Sequence, residues 1–183
     1  GRTTLEAYMN LVSGAIEGLL LKPPEMSLMD FDYLTFHQPS GYMPMKTCKT
    51  LTQESIEILD HPELEDRIRI TPDFIEQRVK PWLRVLDTGN TYAAATLIAT
   101  SDILDHAKPG EDILAVSYGS GAYTIATWLH VEDGVLSRRG RVPSVMDYVN
   151  RKREIKLETY HRLMRYKHGS VRSRLAAPRR VAE

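Results

Sequence analysis

Three stretches of the chain place polar groups where strands or helices begin and end. His37 closes an apolar run in Phe31-Asp32-Tyr33-Leu34-Thr35-Phe36-His37-Gln38-Pro39. Asn90 follows Gly89 in Thr88-Gly89-Asn90-Thr91-Tyr92. Ser117, Tyr118, Gly119 and Ser120 lead into Gly121 in a glycine-bearing turn. Imidazole and carboxamide N–H groups can hold a carbonyl oxygen as charge develops on it, which acyl chemistry that forms carbon–carbon bonds requires. A Gly-Ser-Gly turn adds backbone N–H donors and room for a thioester to approach closely.

Each position also has a plain structural explanation. A lone His after a strand is most often structural. Asn90 would serve as a helix N-cap, and 117–121 as an ordinary hairpin turn. Cys48, in Met45-Lys46-Thr47-Cys48-Lys49, is the single cysteine, and Lys46 and Lys49 could lower its pKa. Its context does not match that of a nucleophile, and no better one is found. One cysteine excludes an internal disulfide and a Cys-based zinc site, and no metal site is expected.

The elements that must position these groups follow from periodicity. Leu5, Tyr8, Met9, Val12, Ile16, Leu19 and Leu20 recur at helical spacing, which predicts a helix over 3–21 stopped by Lys22-Pro23-Pro24. Residues 31–36 suit a buried strand. A helix over 44–51 would start facing the His37 turn. The charged stretch 52–86, broken by Pro62, Pro72 and Pro81, suits two or three short helices. Residues 90–107, rich in Ala, Leu and Ile, predict a buried helix ended by Lys108-Pro109-Gly110. Residues 112–117 and 122–131 suit an antiparallel strand pair. Ser144 and Asp147 suit a capping box that opens a further helix.

The 183 residues fit one domain or one large half-domain. The 24 basic and 24 acidic residues leave no net charge, so no nucleic-acid or membrane partner is expected. No apolar run approaches the roughly 18 residues of a membrane span. The N-terminus leads directly into a helical pattern, so no signal peptide is expected, and one cysteine fits a cytoplasmic setting. From Arg151 onward eleven Lys and Arg stand against three Glu. That balance suits a solvated helix and a disordered basic tail, or else a surface for CoA phosphates or an acidic partner.

Three segments in order, FDYLTFHQP (31–39), TGNTYAAATLIATSDILDHAKPGEDILAVSYGSGA (88–122) and SVMDYVNRKREIKLETYHRLMRYK (144–167), carry a resemblance. From about Leu5 to about Lys167 the chain resembles the C-terminal half of archaeal-type 3-hydroxy-3-methylglutaryl-CoA synthases, in the thiolase superfamily. The fold this implies is α/β: the C-terminal half of a thiolase-like αβαβα fold, a mixed sheet with a buried helix and outer helices. The half-domain would occupy 1–168, with an inserted segment within about 52–86, and 169–183 would form the basic tail.

The resemblance implies that His37 polarises the carbonyl attacked by an acyl-enzyme carbanion, and that Asn90 helps bind the second acyl thioester. It implies that the loop Ser117, Tyr118, Gly119, Ser120 borders the nucleophile and supplies an oxyanion N–H. Lys46 and Lys49 would meet CoA. The nucleophilic Cys and acid/base Glu belong to the N-terminal half, so Cys48 is not expected to act. Tyr42 stands where the family pattern has a lysine, which favours an acyl group other than acetoacetyl. Trp82, Phe74, Ile70 and Ile68 would shape that pocket.

CoA thioesters are thus the implied substrates, with no tightly bound cofactor. The implied function is a subunit of a split acyl-CoA condensing or cleaving enzyme, active with an N-terminal-half chain. A zinc-ribbon/OB-fold acyl-CoA-associated protein or a thiolase is a further expected partner. The competing expectation is a non-catalytic scaffold that binds a partner acyltransferase or thiolase.

Overall fold

The computed structural model describes residues 2–22, 24–54, 56–119, 121 and 123–164. Contacts divide the chain into two compact units, 1–150 and 151–183. In the first, helix α1 spans Arg2–Leu20 and β1 spans Tyr33–Phe36. Helix α2 is Tyr42–Thr50, followed by short α3 (Glu65–Ile68), α4 (Pro72–Phe74) and α5 (Val85–Thr88). Then come α6 (Ala94–His106), β2 (Asp112–Gly119), β3 (Tyr123–His130), α7 (Gly134–Arg138) and α8 (Val145–Asn150). The second unit contains a helical stretch at 157–164 with Leu157, Tyr160 and Leu163 exposed. The expected basic tail, 169–183, lies outside the described residues.

The sheet has the order β1-β2-β3. β1 runs parallel to β2 with Tyr33 opposite Ile113 and Phe36 opposite Val116. β3 returns antiparallel, with Asp112 opposite His130 and Gly119 opposite Tyr123. Side chains alternate across a sheet, so its two faces separate cleanly. Leu34, Phe36, Leu114 and Val116 join the main core with Tyr8, Val12, Ile16 and Leu20 of α1. That stripe is the one predicted from helical spacing. On the opposite face Ile113 packs with Ile103 and Ala107 of the α6 end.

Residues 51–88 are more deeply committed to the core than their charge suggests. Ile56, Leu64, Ile68, Ile70, Phe74, Ile75 and Val79 all belong to the main core. The Arg67 guanidinium donates to the carbonyls of Leu20 and Met26, tying this segment to the C-terminus of α1. Thr71 caps α4 by accepting from the Phe74 N–H, with Pro72 in the first turn, where its missing N–H costs nothing. The expected pocket role of Phe74, Ile70 and Ile68 is therefore not what the fold does with them. They fill the core, and Trp82 packs edge-on against Tyr33 at 5.4 Å between ring centroids.

Several boundaries differ from expectation. β1 opens at Tyr33 rather than Phe31, and β2 runs on to Gly119, so Ser117, Tyr118 and Gly119 are paired strand residues rather than turn residues. α2 begins at Tyr42 rather than Pro44, since Pro44 sits in the first turn without interrupting it. α6 begins at Ala94 rather than Asn90. The intervening residues form a turn in which Gly89 has φ +70° and Tyr92 has φ +53°. Positive φ is incompatible with a helical start.

Burial of α6 is also one-sided. Ala95, Thr96, Ala99, Asp102 and Ile103 are buried, while Leu97 and Leu104 are exposed. Ser144 and Asp147 form the expected capping box: the Asp147 N–H donates to Ser144 Oγ, and the Ser144 N–H to Asp147 Oδ2.

Candidate active site

His37 is placed by the sheet. Its N–H extends the β1–β2 pairing by donating to the Val116 carbonyl at 2.7 Å, and its own carbonyl accepts from the Tyr8 hydroxyl at 2.7 Å. The backbone is therefore held from both sides. The ring lies tilted against Tyr118, 5.9 Å between centroids, and Tyr118 meets Tyr8 edge-on at 5.2 Å. His37 is 8% exposed, and burial pulls its pKa below the ordinary 6.5. Burial thus favours the neutral imidazole, with one N–H donor, and no described group hydrogen-bonds its ring nitrogens. A neutral imidazole of this kind can donate to a developing oxyanion without giving up its proton.

Tyr8 is a contributor that sequence reasoning counted only as core. Its hydroxyl is fully buried, and desolvation raises its pKa well above the phenol range. It is thus a permanent donor. The available signal was a tyrosine within an apolar helical stripe, since a buried phenol needs a partner.

The hairpin is as expected in outline. Gly119 ends β2 and Tyr123 opens β3, while Ser120 lies outside the described residues. Ser117 Oγ donates to the Ile125 carbonyl across the pair at 3.3 Å. Tyr118 points to the α1 side, beside His37, and Ser117 to the other. A Cβ on Gly119 would meet only the Tyr123 carbonyl oxygen, at an ordinary 3.6 Å. Packing within the chain does not require glycine there, which is consistent with a close approach by something else.

Asn90 is not an N-cap. Its Oδ1 accepts from the Tyr92 N–H at 2.8 Å, an Asx turn, and the residue is exposed. Its carboxamide NH2 remains a donor on the approach to α6. Lys46 and Lys49 lie one turn apart on α2 and line a groove of about 610 Å³ with Tyr42, Met45, Pro72 and Ile75. The groove does not include His37, so the two lysines form a separate station. Cys48 is wholly buried, and desolvation pushes its thiol up to about 12. That is the opposite of the activation two neighbouring lysines would give, and it removes Cys48 as a nucleophile.

Among the described residues no group of His, Cys, Asp and Glu is arranged to hold a metal, and no helix is long and apolar enough to cross a membrane. No family model matches the chain. Relatives are nevertheless clear. The hydroxymethylglutaryl-CoA synthase of Methanothermobacter thermautotrophicus is 38% identical over 161 residues, 87% of this chain and 40% of that protein. The synthase of Thermococcus kodakarensis is 40% identical over 131 residues, 72% of this chain and 31% of its own length. The chain is related to a part of the archaeal-type hydroxymethylglutaryl-CoA synthases.

Solved structures support the thiolase-like fold. The curacin-pathway HMG synthase in complex with acetyl donor-ACP matches with a TM-score of 0.68 at 19% identity, over 89% of this chain and 38% of that one. PksG, an HMG-CoA synthase from Bacillus subtilis, gives 0.67 at 21% identity, over 86% and 38%. The chain thus spans between about a third and two fifths of the length of these synthases.

Proposed function

We propose that the chain is the carbonyl-polarising part of an acyl-CoA condensing enzyme of the thiolase superfamily. The observation that carries this is His37: a buried imidazole with backbone fixed by Val116 and Tyr8, beside the glycine hairpin. In the reaction implied by the family, a carbanion formed on an acyl-enzyme thioester attacks the acceptor's carbonyl carbon. The new carbon–carbon bond forms as the carbonyl π pair moves onto oxygen. The His37 N–H donates to that oxygen, and Asn90 holds the acceptor thioester. A backbone N–H at the 117–120 end of β2 serves the thioester oxyanion. One such donor typically contributes a few kcal/mol, on the order of a hundredfold or more in rate.

The nucleophile and the acid/base come from the part of the enzyme this chain does not cover. The open side of α6 and β3, with Leu97, Leu104, Tyr123 and Ile125 exposed, supports docking of that part. Lys46 and Lys49 bind the CoA phosphates in their groove. Tyr42 lines the same groove, walled by Pro72 and Ile75 from the 52–86 segment, so its presence in place of the family's lysine bears on the CoA end of the substrate. A free, buried Cys48 suits a cytoplasmic setting.

The test is His37→Ala in the assembled enzyme. Acyl-enzyme trapping should stay near wild type while product formation falls by orders of magnitude. Equal loss of both half-reactions would place His37 in the first step or in folding alone. Full activity would leave a scaffold role.

A further inference from the structure

Gln38 sits between His37 and Pro39 and is 1% exposed. Both ends of its carboxamide are used. Nε2 donates to the Trp82 carbonyl at 2.7 Å and to Thr35 Oγ1 at 3.3 Å. Oε1 accepts from the Val85 N–H at 3.0 Å. That N–H is one of the orphan donors in the first turn of α5, so Gln38 caps the helix from a distant strand. The Val85 carbonyl in turn accepts from the Gly89 N–H at 3.0 Å. A single residue therefore receives Gln38 at its amide and holds, at its carbonyl, the residue before Asn90.

The same segment is pinned from its other side. Arg84 Nε lies 2.7 Å from Asp102 Oδ2 on α6, and Arg84 Nη1 is 3.0 Å from Asp87. Desolvation outweighs the attraction of Arg84 and raises the Asp102 carboxyl above its usual range. Residues 80–89 are thus fixed both to the strand end that carries His37 and to the helix that Asn90 precedes. An apolar side chain could fill the space of a buried glutamine without three bonds to satisfy. What the amide adds is a fixed relation between two backbones.

We infer that Gln38 is a positioning residue for carbon–carbon bond formation, setting the separation between His37 and Asn90 through Val85 and Gly89. The inference rests on the roles proposed above for those two residues. The substitution Gln38→Glu gives a specific test. The introduced carboxyl would keep the length and the acceptor for Val85, but an ionised oxygen would face the Trp82 carbonyl and repel it. When protonated, the same oxygen would donate to that carbonyl. Burial raises the pKa of such a carboxyl. The titratable and charged groups on the elements packed around it are His37, Arg84 with its partners Asp87 and Asp102, and His106 against Trp82, all present in the wild-type control.

The experiment measures acyl-enzyme formation, product formation and melting temperature against pH in the assembled enzyme. It compares wild type, Gln38→Glu, Gln38→Met and His37→Ala. Gln38→Met should slow product formation about tenfold to a hundredfold at every pH, with acylation intact, as expected for a small misplacement. Gln38→Glu should show that loss at high pH and recover as pH falls, a recovery wild type lacks. If both variants condense at the wild-type rate, or lose both half-reactions in step with melting temperature, the inference is overturned. If neither assembles at any pH, Gln38 is structural only and the inference falls as well. If His37→Ala condenses normally, the proposed function fails. If His37→Ala is slow and the Gln38 variants are not, only the positioning inference fails.

Discussion

The two faces of the sheet are finished to different degrees. On one, α1 lays Tyr8, Val12, Ile16 and Leu20 over Leu34, Phe36, Leu114 and Val116, and every one of these is buried. On the other, α6 covers Ile113 and leaves Leu97 and Leu104 exposed, while Tyr123 and Ile125 of β3 stand open. Both faces are apolar in sequence. A folded chain keeps apolar surface out of water wherever it has something to place there. The α1 face is therefore a core, whereas the α6 face is left open among the described residues, as the docking proposed above requires. His37 follows β1 of the sheet that divides them, with its backbone anchored to the finished side by Tyr8.

The strongest way to break this contrast is a pair of substitutions. Phe36→Ala on the finished face should cost about 3–5 kcal/mol in urea unfolding. Leu97→Asp should change unfolding of the chain by less than about 0.5 kcal/mol, yet prevent association with the rest of the enzyme in sedimentation. Similar unfolding costs at both positions would mean that the α6 face is also a core. A smaller effect tests the anchor. Tyr8→Phe strands the buried His37 carbonyl and should cost about 1–3 kcal/mol, with product formation falling more than acylation. An unchanged ratio of the two half-reactions would reduce Tyr8 to packing.

The smallest expected effect is on pH dependence. His37 has a folded pKa below its ordinary 6.5, so the unfolded state takes up the proton first as pH falls. Stability should rise with pH across the window from the depressed pKa up to 6.5 and be flat above it. Comparing urea midpoints of wild type and His37→Gln between pH 5 and pH 8 (about the range over which histidine titrates) would isolate the contribution. A slope of the opposite sign would mean that the imidazole is charged in the folded state.

Local rules made much of this legible. The i, i+4 stripe of α1, the hairpin flanking Gly119 and the Ser144–Asp147 capping box each depend on neighbours close in sequence, and each forms where expected. Asn90 reads as a helix start in sequence because an Asx turn and a cap share the same residue types; the positive φ of Gly89 and Tyr92 separates the two here. Ile68, Ile70 and Phe74 read as pocket residues in sequence because a charged, proline-broken stretch hides its buried side, which the fold turns into the core. The bonds from Tyr8 to His37 and from Gln38 to Val85 span 29 and 47 residues. No periodicity encodes such pairings; only the fold brings them together. The folded chain joins His37 to Tyr118 directly and to the Asn90 turn through Gln38, while Lys46 and Lys49 stand apart.

In the proposed division of labour this chain polarises a carbonyl and supplies no nucleophile. The direct measurement is the intact mass of purified 1–183 after incubation with an acyl-CoA, alongside its sedimentation. An unmodified mass and no condensation product are expected, with Cys48 buried and its thiol held at about 12. A monomeric chain carrying an acyl group on Cys48 would contradict the claim.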